Sequence, residues 1–171
     1  MEKISELEVW QRGPIDGVPA LLQPVAHALL QAVEDVDKEI SAFPLELLWK
    51  KPGGVASVGF HLKHLKGVVD RLFTYARGEM LNDAQTHALK EEPFAGEADS
   101  VQLLADKFRD QVATAIDQLK TIDVNTLTEK RRVGRKQVPS TVIGLLFHSA
   151  EHIQRHVGQL IVTARILKAF S

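Results

Sequence analysis

Between Thr141 and Phe170 the chain holds an apolar helical run in which His148, His152 and His156 recur at steps of four. In an α-helix each step of four advances the chain about 6 Å and rotates it only about 40°, so the three imidazoles leave one side of the helix. With His152 as reference, Val142, Leu145, Leu146, Ile153, Val157, Leu160 and Ile161 spread over an arc from about +20° to about +180°, and Glu151 and Arg155 fall opposite. His156 lies inside that arc, His152 at its edge and His148 just beyond it. A helix with such a face must bury it against others. If two of its histidines are ligands facing a bundle interior, they are His152 and His156.

Three further amphipathic segments supply partners. From about Pro19 to Ala42, apolar Leu22, Val25, Leu29, Val36 and Ile40 recur at three and four, and Phe43-Pro44 stops the run. After a loop through Pro52-Gly53-Gly54, Ser57 can cap a second helix reaching about Arg77, with His61 and His64 three residues apart and Gly78 as its stop. A polar connection follows, with a short helical turn around Ala84 to Leu89. The third long helix spans about Ser100 to Ile122, capped by Asp99 or Ser100. Residues 126 to 139, with Lys130-Arg-Arg-Val-Gly-Arg-Lys136, are too rich in charge and glycine for a buried element, and Pro139-Ser140 opens the fourth helix. Four such helices, with no strand-period segment of comparable strength, predict an all-α four-helix bundle. An irregular arm over residues 1–17 precedes it, anchored on the domain surface by Trp10.

A chain of 171 residues is long enough for one domain with a full core and too short to expect two. Its net charge of −1 gives polyanions no field to follow, so nucleic acid is not an expected partner. The acidic start Met1-Glu-Lys-Ile-Ser-Glu-Leu-Glu8 lacks the basic-then-apolar order of a secretory signal, and the polar groups of the last helix argue against a membrane span; a cytoplasmic protein is expected. Cysteine is absent, which excludes disulfides, thiolate zinc sites and a cysteine nucleophile. A metal here would be held by imidazole, carboxylate or water.

Of the seven histidines, five fall in two short segments, His61 to His64 and His148 to His156. Buried neutral imidazoles are costly without a partner, and a shared divalent ion satisfies several at once. Three histidines with an open position suit zinc, nickel or iron. The plainer reading, a histidine hydrogen-bonded to a carboxylate or water, is assigned to His27 and His87. On the wheel of the second helix His61 points somewhat further into the apolar arc than His64, so geometry leaves both as candidates.

Two motifs resemble a known family. Ser57-Val-Gly-Phe-His-Leu-Lys-His64-Leu is similar to the start of the second helix in the DinB/YfiT-like metalloenzyme superfamily, and His152-Ile-Gln-Arg-His156-Val-Gly-Gln159 resembles its His-x-x-x-His-Arg-Gly-Gln signature. The resemblance covers the helical pattern from about Leu21 onward. It implies a DinB-type bundle, usually a homodimer, with a divalent metal held by His64, His152 and His156. His61 and His148 stand as substitute or additional ligands. Val157 replaces the usual arginine, and Gly67 stands where many members carry an acidic residue, which puts a carboxylate role at that position in doubt.

The resemblance further implies metal-assisted transfer or hydrolysis, since relatives include thiol-dependent transferases, isomerases and amidohydrolases; a small-molecule substrate or thiol cosubstrate would be the partner. No separate base stands out: Glu151 is on the wrong side of its helix, and Arg155 and Gln159 are only neighbours. The run Lys130 to Lys136 is either a solvated loop or a cover over the metal mouth that attracts an anionic cosubstrate. The competing function is a noncatalytic, metal-stabilised bundle that binds a ligand or partner helix.

Overall fold

The structure, a computed structural model, describes residues 7–170. Four long helices carry the core: α1 (Gln23–Ile40), α2 (Val58–Ala76), α4 (Val101–Thr121) and α5 (Val142–Ala169), with a short α3 (Asp83–Glu91) between α2 and α4. The principal packing pairs are α2 with α5, α1 with α5, α2 with α4, and α1 with α4. Consecutive α1 and α2 therefore occupy opposite corners of the bundle, as do α4 and α5. Long connections over residues 41–57 and 122–141 make those diagonal crossings possible.

Side chains at the helix starts explain where they begin. Ser57 Oγ accepts from Phe60 N at 3.2 Å, Ser100 Oγ from Leu103 N at 3.1 Å and Thr141 Oγ1 from Gly144 N at 3.1 Å, each satisfying an amide that has no intrahelical acceptor. α2 ends at Gly78, whose φ of +83° is open to glycine and strained for most other residues. The interior is aliphatic and aromatic: Leu22 just before α1, Leu29 and Val36 from α1, Leu62, Leu65 and Phe73 from α2, Phe108 and Leu119 from α4, and Leu146, Ile153 and Leu160 from α5 are all fully buried. Among the described residues no helix is long and apolar enough to cross a membrane.

Three expectations need correction. Trp10 does not anchor the amino-terminal arm; it is 61% exposed, while its neighbour Val9 is buried and gives its amide to Gln31 Oε1 at 2.9 Å. Arg12 adds an ion pair to Glu34 at 2.6 Å. In the 3-10 turn Val9–Arg12 adjacent side chains diverge, so only one of the pair can face α1. Met1 to Glu6 of the expected arm lie outside the described residues.

The basic segment is a β-hairpin, β1 (Lys130–Val133) paired antiparallel with β2 (Val138–Thr141), in the register Val133↔Val138 to Lys130↔Thr141. An exposed two-stranded ribbon satisfies half its backbone groups internally and needs no long apolar stretch, which is why charge density hid it. Arg131 Nε donates to Ala76 O at 2.8 Å, fixing the hairpin to the far end of α2, twelve residues or about 18 Å from His64 along the helix. The last helix accordingly starts at Val142, with Thr141 closing the strand and capping the helix, rather than at Pro139-Ser140.

Candidate metal centre

All five clustered histidines lie at the α2–α5 contact. Steps of three on α2 and four on α5 put His61 and His64 on one face, opposite His152 and His156. His64 Nε2 and His152 Nε2 are 3.1 Å apart. The His64 and His156 rings are 4.4 Å apart and the His152 and His156 rings 4.7 Å between centroids. One donor atom from each of His64, His152 and His156 falls within 4.8 Å of the others. Phe60 stacks on His64 at 5.2 Å and 14°, closing one side.

Each ring has a distinct second contact. His64 Nδ1 lies 2.7 Å from Glu92 Oε2, and Arg71 Nη1 donates to Glu92 Oε1 at 2.6 Å. His156 Nδ1 lies 3.1 Å from Nδ1 of His61, which is only 2% exposed. His152 Nδ1 is buried with no hydrogen-bond partner. His148 turns to Glu151 at 2.6 Å on the exposed side, and Arg155 donates to the same carboxylate at 2.7 Å; His148, Glu151 and His152 form a second, more exposed grouping.

The electrostatics favour neutral rings at His61, His152 and His156. Burial, followed by repulsion from His64, pushes both His61 and His156 down to about 4. His152 is lowered by the same two causes in the same order. Burial alone would raise Glu92, but the hydrogen bond from His64 and the charge of Arg71 outweigh it and hold the carboxyl below its usual range. Neutral imidazoles keep the lone pairs that metal binding requires.

The donor set passes a test of fit. Two nitrogens each about 2.0–2.1 Å from a common ion sit about 3.0–3.4 Å apart, and the His64–His152 separation of 3.1 Å falls in that interval.

The sequence candidates are thus sorted by place. The structure brings His64, His152 and His156 together; His61, which the helical wheel slightly favoured, lies behind His156, and His148 lies outward with Glu151. His27 makes an ordinary contact to Gly13 O at 3.1 Å, and His87 is exposed on α3. Glu92 and Arg71 were missed. Arg71 could have been found, since it lies seven residues and two turns from His64; Glu92 could not, because its approach depends on the path of the 78–99 connection.

Residues 21–160 match the DinB superfamily. Among solved structures the chain is similar to YfiT from Bacillus subtilis, described as a probable metal-dependent hydrolase with an unusual four-helix bundle topology, with a TM-score of 0.64 at 12% identity over 91% of this chain and 93% of that one. No curated protein matches the sequence. At that identity the structural likeness speaks for the fold, diagonal helix order included, while the sequence match spans both histidine segments; the chain belongs to the DinB superfamily.

Proposed function

We propose that this protein is a metal-dependent enzyme, a transferase or hydrolase acting on a small molecule, in which His64, His152 and His156 hold a divalent ion. The observation that supports this reading is the convergence of three imidazole donors from two helices within 4.8 Å. When bound, a divalent ion with three imidazole ligands supplies Lewis acidity to a water or thiol at its open position. The similar fold of YfiT, described as a probable metal-dependent hydrolase, points the same way.

The chain's own residues prepare the site. Ligation through Nε2 of His156 leaves the proton on its Nδ1, which then donates to His61 Nδ1 at 3.1 Å; His61 acts as a buried acceptor that orients the ring. A cavity of about 270 Å³ opens directly on His64 and His152 and is walled by Val68, Leu72, Tyr75 and Leu89. Arg71 and His148 also line it, so a substrate there would meet apolar walls and polar groups together. Neither nearby carboxylate is free to serve as a base, since Glu92 is held by His64 and Arg71 and Glu151 by His148 and Arg155. That occupancy is the one feature that favours a noncatalytic, metal-stabilised bundle.

A screen of the metal-loaded full chain separates the two readings, using low-molecular-weight thiols with electrophiles on one side and small esters and amides on the other. The enzyme reading expects turnover that His156→Ala abolishes, together with a loss of metal affinity of more than about 100-fold, beyond the usual effect of an outer contact. Turnover that persists unchanged in His156→Ala overturns it. Metal uptake with no turnover in any arm leaves the bundle reading.

A further inference from the structure

Gly67 follows His64 by three residues on α2, and the space where its side chain would stand is filled. A Cβ there would lie 2.3 Å from both Arg71 Nη1 and Glu92 Oε1. Such an approach is impossible for any side chain unless the two charged groups move. The glycine is thus the opening through which a carboxylate from another segment reaches α2.

That carboxylate is brought from a distance. Glu92 follows directly on α3, a nine-residue helix with no buried side chain of its own. α3 is held to α2 by polar bonds: Gln85 Nε2 donates to Asp70 Oδ1 and Thr74 Oγ1, each at 2.8 Å. Beyond Glu92, Lys63 Nζ reaches Phe94 O and Asp99 Oδ2, both at 2.8 Å. Pinned on both sides, Glu92 is only 4% exposed and divides its two oxygens between Arg71 and His64. Taking a carboxylate and a guanidinium out of water is costly before their attraction is counted, and a tether for α3 could have been built at the surface without that cost.

We infer that Glu92 is a positioning residue of the metal centre: its Oε2 accepts from His64 Nδ1–H, fixing the tautomer that leaves the Nε2 lone pair directed toward His152 and His156, while Arg71 holds Glu92 in place and Gly67 admits the pair. This rests on the reading of His64 as a ligand. A carboxylate behind a ligating imidazole sets the ring's orientation and raises its basicity, and removing one typically costs 10–100-fold in metal affinity. Glu92 itself touches no substrate.

The test uses the full chain, zinc, and three variants. Glu92→Gln keeps the shape but offers either an acceptor or a donor to His64. Its zinc dissociation constant, measured by chelator competition, is expected to rise about 10–100-fold with the helical circular dichroism unchanged. Nitrogen-15 shifts of the metal-free protein are expected to show His64 in the Nδ1–H form in the wild type and as a mixture of tautomers in Glu92→Gln, a change that a mere tether for α3 would not produce. Gly67→Ala is expected to weaken zinc to a similar degree, and the double variant no further than Glu92→Gln alone, because both act through one contact. Zinc affinity in Glu92→Gln within threefold of the wild type, or an unchanged His64 tautomer, overturns the inference and leaves the metal site standing. A wild-type chain that takes up no zinc overturns both.

Discussion

On α5, Ser149 is fully buried and its hydroxyl has no hydrogen-bond partner. An unsatisfied buried hydroxyl costs about 1–3 kcal/mol, and alanine removes it while leaving a space smaller than a methyl group. Ser149→Ala is therefore expected to match or exceed the wild type in denaturant midpoint; a loss above about 1 kcal/mol in urea unfolding would show that the hydroxyl finds a partner after all. Gly59 behaves oppositely, because a Cβ there would lie 2.7 Å from the Trp49 ring. Gly59→Ala should cost about 1–3 kcal/mol by overpacking, measured in the same experiment. Residue identities were unevenly legible in the sequence. The step of four between His152 and His156 placed both rings on one side of α5 without any tertiary knowledge. His61 and His64, three apart, both fit the inner arc of α2, and it is the motif resemblance, not the spacing, that favours His64.

Among the helices, α1 and α5 are joined near their carboxyl ends by a charged clasp. Glu39, buried on α1, receives Lys168 at 2.6 Å and Arg165 at 3.0 Å from α5. Burial alone would raise the Glu39 carboxyl, but the hydrogen bonds from Lys168 and then Arg165 outweigh it and hold it below its usual value. A carboxyl whose folded pKa lies below its unfolded one contributes stability above the unfolded value, about 4.3, and loses it as pH falls through the folded value. Glu39→Gln should thus be less stable than the wild type at pH 7 by on the order of 1 kcal/mol, discounted for the exposure of its two partners. The gap should close below about pH 4; a constant gap across chemical unfolding at pH 7 and pH 3 would refute the assignment. At this scale the four long helices were readable because 3.6-residue periodicity needs only the chain itself. The hairpin was not, since its strands are short, charged and half exposed, and α3 showed only as a polar turn because it buries nothing.

For the molecule as a whole, an ion shared by α2 and α5 would join the pair of helices that packs most extensively. A ligand that binds only the folded state stabilises it by about 2.7 kcal/mol when present at 100 times its dissociation constant. In a chain of 171 residues that corresponds to a rise of about 5–10 °C in Tm. Zinc added to the metal-free protein should produce it, a chelator should reverse it, and His156→Ala should show none; an equal rise in that variant would place the ion elsewhere. Taken alone, the amino-acid order determined the helical class, the cap at Ser57, the apolar faces and the one-sided pair His152 and His156, because each depends on spacing within a single segment. The diagonal order of the helices and the arrival of Glu92 beside Gly67 were decided only by tertiary structure. Each brings together groups from separate segments, and which of the many possible loop paths joins them is settled by burial of the whole core.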